Sequence, residues 1–334
     1  MTFAVTGANG FLGVHIIHHL LQLNHKVVAI CRPNASLSEF ELIKKAYSYK
    51  NIDYSLLQWN ECELYDTDGL MEVFCNVDFV MHVAGTISYH KRDFEKLVRV
   101  NKDYTANVVN VALHCKVKKL LYCSSIAAIS KTSDSSLITE DKEWDDKIPH
   151  SNYGLSKYLG ECEVWRGAEE GLPVVVINPG IILGYGDFSK GSNKLFSNAQ
   201  SSFRFYSQGI TGWVGVNDVA DIAIKLCLSD VVKERFILTS ENVSYRQVAN
   251  MMCAAFGSRR PTIEVNGLLY QFVYRLMALK EGLGIGGMLS KETVQASIAQ
   301  NYFDNSKIKK ALNVEFESIE NVVKQAIKKA QASS

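Results

Sequence analysis

A tyrosine and a lysine four residues apart are the most chemically suggestive pair in this chain of 334 residues. If the segment is helical, Tyr153 and Lys157 share one face, with Cβ atoms about 5–6 Å apart. A free phenol has a pKa of about 10, too high for a base at neutral pH, and a neighbouring ammonium group lowers that pKa. Ser125 follows an apolar run at 119–123, which places a hydroxyl where it can bond the same oxygen. These three side chains predict proton transfer to or from a substrate oxygen.

Three glycines near the amino terminus predict that a dinucleotide binds beside this group. Gly7, Gly10 and Gly13 separate a first strand from an amphipathic helix. Gly7 permits a tight turn, Gly10 lets the backbone approach a pyrophosphate, and Gly13 lets the helix pack closely on the sheet. The helix amino terminus then directs N–H groups and partial positive charge at the phosphates. The spacing G-x-x-G-x-x-G alone is a weak signal, but its position between strand and helix makes it strong.

The end of the second strand indicates which dinucleotide binds. NAD sites usually place Asp or Glu there to bind the ribose 2′-hydroxyl, whereas this chain has Cys31, Arg32 and Pro33. No carboxylate repels a 2′-phosphate, and Arg32 is able to pair with one. We therefore expect NADP rather than NAD. The alternative is that Arg32 is only a solvated loop charge.

The surrounding sequence alternates strand and helix patterns, which predicts an α/β Rossmann fold with a doubly wound parallel sheet. Strands are predicted at 2–6, 26–31, 54–59, 77–83, 119–123 and 173–178, and helices at 11–23, 38–50, 68–75, 94–115 and 153–170. Asn217 and Asp218 are expected to cap a helix that starts at Val219. We expect a dinucleotide-binding domain of residues 1–178 plus 213–240. Residues 179–212 plus 241–334 would form a smaller, mostly helical substrate lobe with an apolar stretch at 268–279.

Composition limits the classes of partner and compartment. The 36 basic and 35 acidic residues are balanced, so neither nucleic acid nor an anionic membrane surface is expected as a partner. No apolar run reaches the roughly 18 residues of a membrane span, and the chain opens directly on a strand, which leaves no room for a signal peptide. Eight cysteines without C-x-x-C or zinc-ligand spacing predict reduced, buried thiols, no metal site and a cytoplasmic location.

These motifs together resemble the extended short-chain dehydrogenase/reductases, the NAD-dependent epimerase/dehydratase superfamily. The resemblance covers essentially the whole chain and is most specific over residues 2–183. It is carried by Thr6–Gly13, Val80–Gly85, Val100-Asn101, Tyr122–Ser125, Tyr153–Lys157 and Asn178–Gly180. Arg32 and the segment Ile177–Gly184 resemble the dihydroflavonol-4-reductase-like branch. A homodimer through the helices 94–115 and 153–170 is what the family leads us to expect.

The resemblance also implies roles for individual residues. Ser125, Tyr153 and Lys157 would be the catalytic triad, although Ser124 is able to hold the place of Ser125. Lys157 would also bond the nicotinamide ribose, and Asn101 would support the active-site helix. Glu63 stands where the family usually has Asp beside the adenine. The full implied cofactor site comprises Gly7, Asn9, Gly10, Phe11, Leu12, Gly13, Arg32, Glu63, Leu64, Val83, Ala84, Gly85, Asn101, Ser124, Tyr153, Lys157, Pro179 and Ile182.

Three functions compete. The first is an NADP-dependent oxidoreductase that reduces a ketone or oxidises a secondary alcohol, with Tyr153 handling the proton; Thr86, Ser88, Tyr89 and His90 would then face the small-molecule substrate. The second is a nucleotide-sugar epimerase with tightly bound NAD. The third is a dinucleotide-binding protein without turnover, against which the intact serine, tyrosine and lysine set argues.

Overall fold

A computed structural model describes residues 1–47, 52–131, 136–265 and 298–332 of the chain. Its strands are β1 Thr2–Thr6, β2 Lys26–Cys31, β3 Leu57–Glu61, β4 Phe79–His82, β5 Lys119–Cys123, β6 Leu137–Ile138, β7 Val174–Pro179, β8 Ile181–Leu183, β9 Phe205–Tyr206, β10 Ile210–Gly215, β11 Glu234–Leu238, β12 Glu241–Ser244, β13 Ile263–Glu264 and β14 Tyr302–Phe303. Its α-helices are α1 Phe11–Gln22, α2 Ser38–Ala46, α3 Thr67–Phe74, α4 Phe94–Val98, α5 Tyr104–His114, α6 Asn152–Glu169, α7 Lys194–Gln200, α8 Val216–Leu228, α9 Tyr245–Phe256, α10 Ser306–Leu312 and α11 Ile319–Ala332.

Seven of these strands form one parallel sheet in the order β11-β7-β5-β4-β1-β2-β3. Both faces are covered, and strand residues alternate between them: Val174 and Val176 belong to one core, Val175 and Ile177 to the other. Helices α1, α2 and α8 cover the face that carries Val175 and Ile177, and α3, α5 and α6 cover the face that carries Val174 and Val176. Burial on both faces explains the continuous apolar runs in the sequence. The predicted Rossmann fold is confirmed.

The helix predicted at 94–115 is interrupted. Between α4 and α5 the residues Arg99–Asp103 form a π-helical turn. Such turns insert one residue into a helix and often occur at functional sites. This turn carries the buried Asn101, whose contacts are described below.

Two other local predictions differ from the structure. The helix predicted to start at Val219 begins at Val216, with Gly215 as its N-cap, because β10 runs directly into it. Asp218 is therefore inside the helix, and its carboxylate accepts a hydrogen bond from the Glu317 N–H at 3.0 Å. The strand predicted from residue 54 begins at Leu57, after a 3₁₀ turn capped by Asp53.

The region after β7 contains a second, three-stranded sheet in the order β12-β10-β8. Strand β10 therefore does not join the main sheet, whereas β11 does, beside β7. The proposed division into two lobes stays a prediction, and the apolar stretch at 268–279 lies outside the described residues.

The cysteine prediction was wrong in part. Cys75 and Cys115 form a disulfide between the ends of α3 and α5, with Cα atoms 4.7 Å apart. The two helices pack side by side on one face of the sheet, which brings together residues separated by 40 positions. Cys162 is exposed, and the remaining free cysteines are buried. None of the described helices combines the length and apolar character needed to cross a membrane.

Candidate active site

The glycine loop lies at the carboxyl end of β1, where backbone and helix approach closely. Gly7 has a φ of +67°, and a Cβ there would lie 2.7 Å from the Ala84 Cα. A Cβ on Gly13 would collide with the Gly7 carbonyl oxygen. Gly10 is the N-cap of α1 and offers no side chain, so the first-turn N–H groups are left uncapped. The glycines leave open a space that side chains would fill, and this space lies in front of the free N–H groups of α1. Such a site fits a pyrophosphate.

The loop after β2 is joined to this cradle. The Asn9 amide donates to the Ser36 carbonyl at 3.2 Å. Arg32 immediately follows β2 and is exposed, so its guanidinium is available on the same sheet edge as the glycine loop. Phe11 and Leu12, in the first turn of α1, are half-buried, and a Cβ on Gly186 would lie 2.9 Å from the Phe11 ring. Phe11 therefore packs against the segment after β8.

The residues implied to line the adenine and the middle of the cofactor follow β3 and β4. Leu64 is buried, and its carbonyl accepts from the Asn107 amide at 3.1 Å, whereas Glu63 is half-exposed. The N–H of Ala84 donates to the Thr6 hydroxyl at 3.3 Å, which ties the loop of residues 83–85 to β1. Residues 63–64 and 83–85 follow the carboxyl ends of β3 and β4, on the edge of the sheet where doubly wound folds bind ligands.

Asn101 connects the loop after β4 to α6. Its amide nitrogen donates to the Thr86 carbonyl and to the Ser156 hydroxyl, both at 2.9 Å. Its amide oxygen accepts from the Thr86 N–H, also at 2.9 Å. The side chain uses both ends in a buried position, as expected for a residue that holds two elements together. These contacts agree with the supporting role predicted for Asn101, which stays a prediction.

Helix α6 brings the tyrosine and lysine to the end of β5. Its N-cap Ser151 accepts from the Gly154 N–H at 3.0 Å, and a Cβ on Gly154 would lie 2.5 Å from the Ala127 carbonyl. The missing side chain lets the helix start against the turn that follows Ser125. As a result the Ser125 hydroxyl hydrogen-bonds the Tyr153 phenol.

Lys157 is buried beneath the phenol. Its ammonium group donates to the Cys123 carbonyl at 2.8 Å and lies 4.3 Å from the centre of the Tyr122 ring. A Cβ on Gly85 would be 3.7 Å from the Lys157 Nζ, so the loop after β4 passes directly beside the ammonium. Burial lowers the pKa of Lys157, and the neighbouring Tyr153 opposes that shift.

The pKa of the phenol differs from the sequence-based expectation. Burial raises the pKa of Tyr153 to about 12, although Lys157 and the hydrogen bond from Ser125 both lower it. The expected effect of the ammonium is present, but the loss of solvation outweighs it. Tyr153 is therefore a protonated group at neutral pH in the protein alone.

The two adjacent serines point to different surroundings. Ser124 is buried, and its hydroxyl lies beside the carboxyl of Glu161. Ser125 is only half-buried and faces Tyr153. This geometry favours Ser125 for the catalytic place and separates Ser124 from the phenol.

The remaining predicted residues lie at the far side of this edge. Pro179 ends β7 and is buried, and Ile182 is half-buried in β8, opposite Val214 of β10. Of the residues after β4, Ser88 donates to Asp93 at 2.6 Å. The Tyr89 ring lies edge-on to the Tyr153 ring, with centroids 6.0 Å apart. Of the residues predicted to face the substrate, Tyr89 is thus one whose ring contacts the Tyr153 ring.

Sequence reasoning missed a buried histidine behind the cradle. The His82 ring nitrogens lie 2.7 Å from the Thr6 hydroxyl and 3.0 Å from the Thr105 hydroxyl. Thr105 donates in turn to the Asn101 carbonyl at 2.8 Å. Burial lowers the pKa of His82 to about 3, so the ring is neutral and links the glycine loop to the π-helical turn. A histidine inside an apolar strand was the available signal.

The comparisons identify the family to which this arrangement belongs. The model of the NAD dependent epimerase/dehydratase family matches residues 3–234. The chain belongs to that family. The predicted membership and enzyme class are thereby confirmed: it is an NAD(P)-dependent enzyme of the extended short-chain dehydrogenase/reductase type.

Individual relatives span most of the chain. It is 26% identical to the putative dihydroflavonol 4-reductase of Synechocystis sp. over 97% of this chain and 93% of the relative. It is also 26% identical to cinnamoyl-CoA reductase 1 of Petunia hybrida, over 72% of this chain and 73% of that protein. Among solved structures, UDP-glucuronic acid 4-epimerase from Bacillus cereus has the same fold, with a TM-score of 0.79, 18% identity and full coverage of both chains.

Proposed function

We propose that this family member is an NADP-dependent reductase of a ketone, with Tyr153 as the proton donor. The observation that carries the proposal is a protonated phenol, hydrogen-bonded to Ser125 and placed above the buried Lys157. A proton donor must hold its proton before the reaction, and the pKa of Tyr153, raised by burial to about 12, meets that requirement at neutral pH.

The chain's own groups suffice for the proton-transfer half of the reaction. When bound, the cofactor supplies a hydride from its dihydronicotinamide ring. The Ser125 hydroxyl is placed to hold the substrate carbonyl oxygen beside Tyr153, which transfers its proton to that oxygen as the carbon is reduced. The positive charge of Lys157 stabilises the phenolate that remains after the proton is transferred. One C=O bond becomes CH–OH, and the phenolate recovers its proton from solvent.

The NADP preference rests on the edge of the cradle. Arg32 is exposed at the end of β2, beside the Asn9–Ser36 link, and β2 ends without the carboxylate that NAD sites use. A guanidinium in this place is suited to a 2′-phosphate. Tyr89 beside Tyr153 would give the substrate an aromatic wall, which fits a carbonyl attached to an apolar group.

A fluorescence titration of NADPH and NADH, followed by gel filtration to test exchange, examines the cofactor assignment. We expect NADPH to bind at least about tenfold more tightly than NADH and to exchange freely. Arg32→Ala should remove the difference, and Arg260→Ala, which removes another exposed arginine, should preserve it. Co-purified NAD that does not exchange would instead support the epimerase.

The chemical assignment is tested with Tyr153→Phe, which removes only the phenolic oxygen. We expect NADPH-dependent reduction of aryl ketones to fall by about 10²–10⁴-fold while NADPH still binds with near-normal affinity. Unchanged turnover in this variant would show that another group donates the proton. Absence of turnover in the wild type with every ketone tested, despite normal NADPH binding, would support a binding protein.

A further inference from the structure

A buried carboxylate lies directly behind the catalytic face of α6. Glu161 follows Lys157 by four residues and Tyr153 by eight, so all three share one side of the helix. Glu161 is 1% exposed, and burying a carboxylate is costly unless it is paired and hydrogen-bonded. Burial raises its pKa, while Ser124, Arg235, Asn178 and Lys157 all act in the opposite direction.

The contacts of this carboxylate lead to the backbone of Ser125. The Asn178 amide nitrogen donates to the Glu161 Oε1 at 2.6 Å and to the Ser125 carbonyl at 2.9 Å. One amide group therefore joins the carboxylate to the residue whose hydroxyl bonds Tyr153. The Ser125 hydroxyl also accepts from the Ala127 N–H at 3.1 Å, so the turn around it is fixed at two points.

The other oxygen of Glu161 faces an anchored arginine. Arg235 of β11 lies 3.4 Å from the Glu161 Oε2 through its Nη1. Its Nε and Nη2 donate to the carbonyls of Glu140 and Lys142 at 2.7 and 2.8 Å. Those two residues belong to the connection between Ser125 and α6. The guanidinium thus joins this connection, the sheet and Glu161.

We infer that Glu161 is a positioning residue, which holds Ser125 against Tyr153 through the bridging amide of Asn178. This inference rests on the proposed function for its kinetic consequence, but its structural consequence is independent of turnover. Removing the carboxylate frees the amide of Asn178 to turn, and the Ser125 carbonyl loses a fixed donor. The hydroxyl then spends less time at the phenol, so the rate of proton transfer falls, while none of the contacts described for Glu161 involves the glycine cradle.

Three variants and one control test the inference. Glu161→Ala removes the contacts of the carboxylate with Asn178, Arg235 and Ser124. Asn178→Leu removes the bridge but leaves Glu161 facing Arg235, which covers the case that Glu161→Ala does not fold. Glu161→Gln keeps one oxygen for Asn178, and Arg235 retains its two carbonyl acceptors. Glu163→Ala is the matched control, since that carboxylate lies on the same helix and pairs with Arg166 at 3.0 Å.

Three measurements are made on the full chain, and the third is the NADPH fluorescence titration described above. Hydrogen exchange of the Ala127 amide reports on the Ser125 turn without any substrate, and NADPH oxidation with 1-phenyl-1,2-propanedione as the probe gives kcat and KM. We expect Glu161→Ala and Asn178→Leu to exchange faster at Ala127 and to lose about 10-fold or more in kcat, with KM and NADPH affinity within about twofold of wild type. Glu161→Gln should recover most of the rate, and Glu163→Ala should match wild type.

The outcomes separate this inference from the proposed function. The positioning role would be overturned if the variant Asn178→Leu kept the exchange rate at Ala127 and the kcat of the wild type. It would also be overturned if Glu161→Gln lost as much kcat and NADPH affinity as Glu161→Ala. If exchange at Ala127 responds as expected but the wild type does not reduce the probe, the role of Glu161 in fixing Ser125 stands. The assignment as a ketone reductase would then be at fault.

Discussion

Replacing Gly7 by alanine tests the glycine cradle without knowledge of the substrate. Gly7 has a φ of +67°, and a Cβ there would lie 2.7 Å from the Ala84 Cα and 2.8 Å from its nitrogen. Gly257 at the end of α9 has nearly the same backbone angle, +69°, with nothing within 4 Å of a built Cβ. The two substitutions share the conformational cost and differ in the collision with Ala84.

The expected magnitudes follow from this difference. The left-handed conformation costs alanine about 1–2 kcal/mol, which is the full expected loss in unfolding free energy for Gly257→Ala. Overpacking against a fixed backbone adds about 1–3 kcal/mol, so Gly7→Ala should lose about 2–5 kcal/mol in total. Because Ala84 must move, the cradle also changes shape. NADPH affinity should then fall at least about tenfold in Gly7→Ala and stay within about twofold in Gly257→Ala.

Urea unfolding followed by tryptophan fluorescence gives the stabilities, and NADPH fluorescence gives the dissociation constants. Equal destabilisation of the two variants would show that the contact between Gly7 and Ala84 does not constrain the fold. A stable Gly7→Ala protein that binds NADPH normally would refute the assignment of this loop as the phosphate cradle.

Two further predictions concern stability. Burial raises the pKa of Asp218 from 3.8 to about 6, so the folded state retains a proton that the unfolded state releases, and unfolding free energy should fall as pH rises from about 4 to 6. Asp218→Asn should remove that decline, with a relative gain of about 1–2 kcal/mol at pH 7 compared with pH 4 after allowance for partial exposure; parallel urea-unfolding profiles for variant and wild type would contradict this. Reduction of the Cys75–Cys115 disulfide, which closes a loop of about 40 residues, should cost about 2–4 kcal/mol. Cys75→Ser should show the same loss without dithiothreitol and no further response to it, and an unchanged midpoint on reduction of the wild type would contradict the assignment.

The strands of the main sheet were predictable because each is specified by a pattern within its own short segment of sequence. The segments that became β1, β2, β4, β5 and β7 are continuous apolar runs between turns, as strands buried on both faces require. Each of their bounds was predicted to within two residues. The doubly wound parallel arrangement followed from the alternation of strands and helices, whereas the order of the strands was not predicted.

The residues of the site could be predicted from the sequence, but the pKa of Tyr153 could not. Tyr153 and Lys157 are four residues apart, and the glycines precede a helix, so their types and spacing identify them. The pKa of Tyr153 is a competition between burial and a nearby charge, and only the packed structure gives the amount of burial.

Long-range contacts set the other limit. The π-helical turn is held by the bonds of Asn101 to Thr86 and Ser156, and no helical period contains that information. The sequence shows that Glu161 lies four residues after Lys157 on the same helix, but its partner Arg235 is 74 residues away. Pairs of this kind become visible only when the strands of the sheet are aligned.

The opposing influences on Tyr153 also determine which protonation state the phenol holds before a cofactor binds. With a pKa of about 12, roughly one phenol in 10⁵ is ionised at pH 7, so almost every molecule is ready to donate a proton. Oxidation of an alcohol would need the rare phenolate as the base, unless additional positive charge reaches the site. Lys157 supplies part of that charge, and the burial that raises the pKa of Tyr153 also lowers the pKa of Lys157. In the protein alone, the balance of burial and charge therefore favours the protonated phenol, and a positively charged oxidised nicotinamide is the group that would shift Tyr153 toward the phenolate.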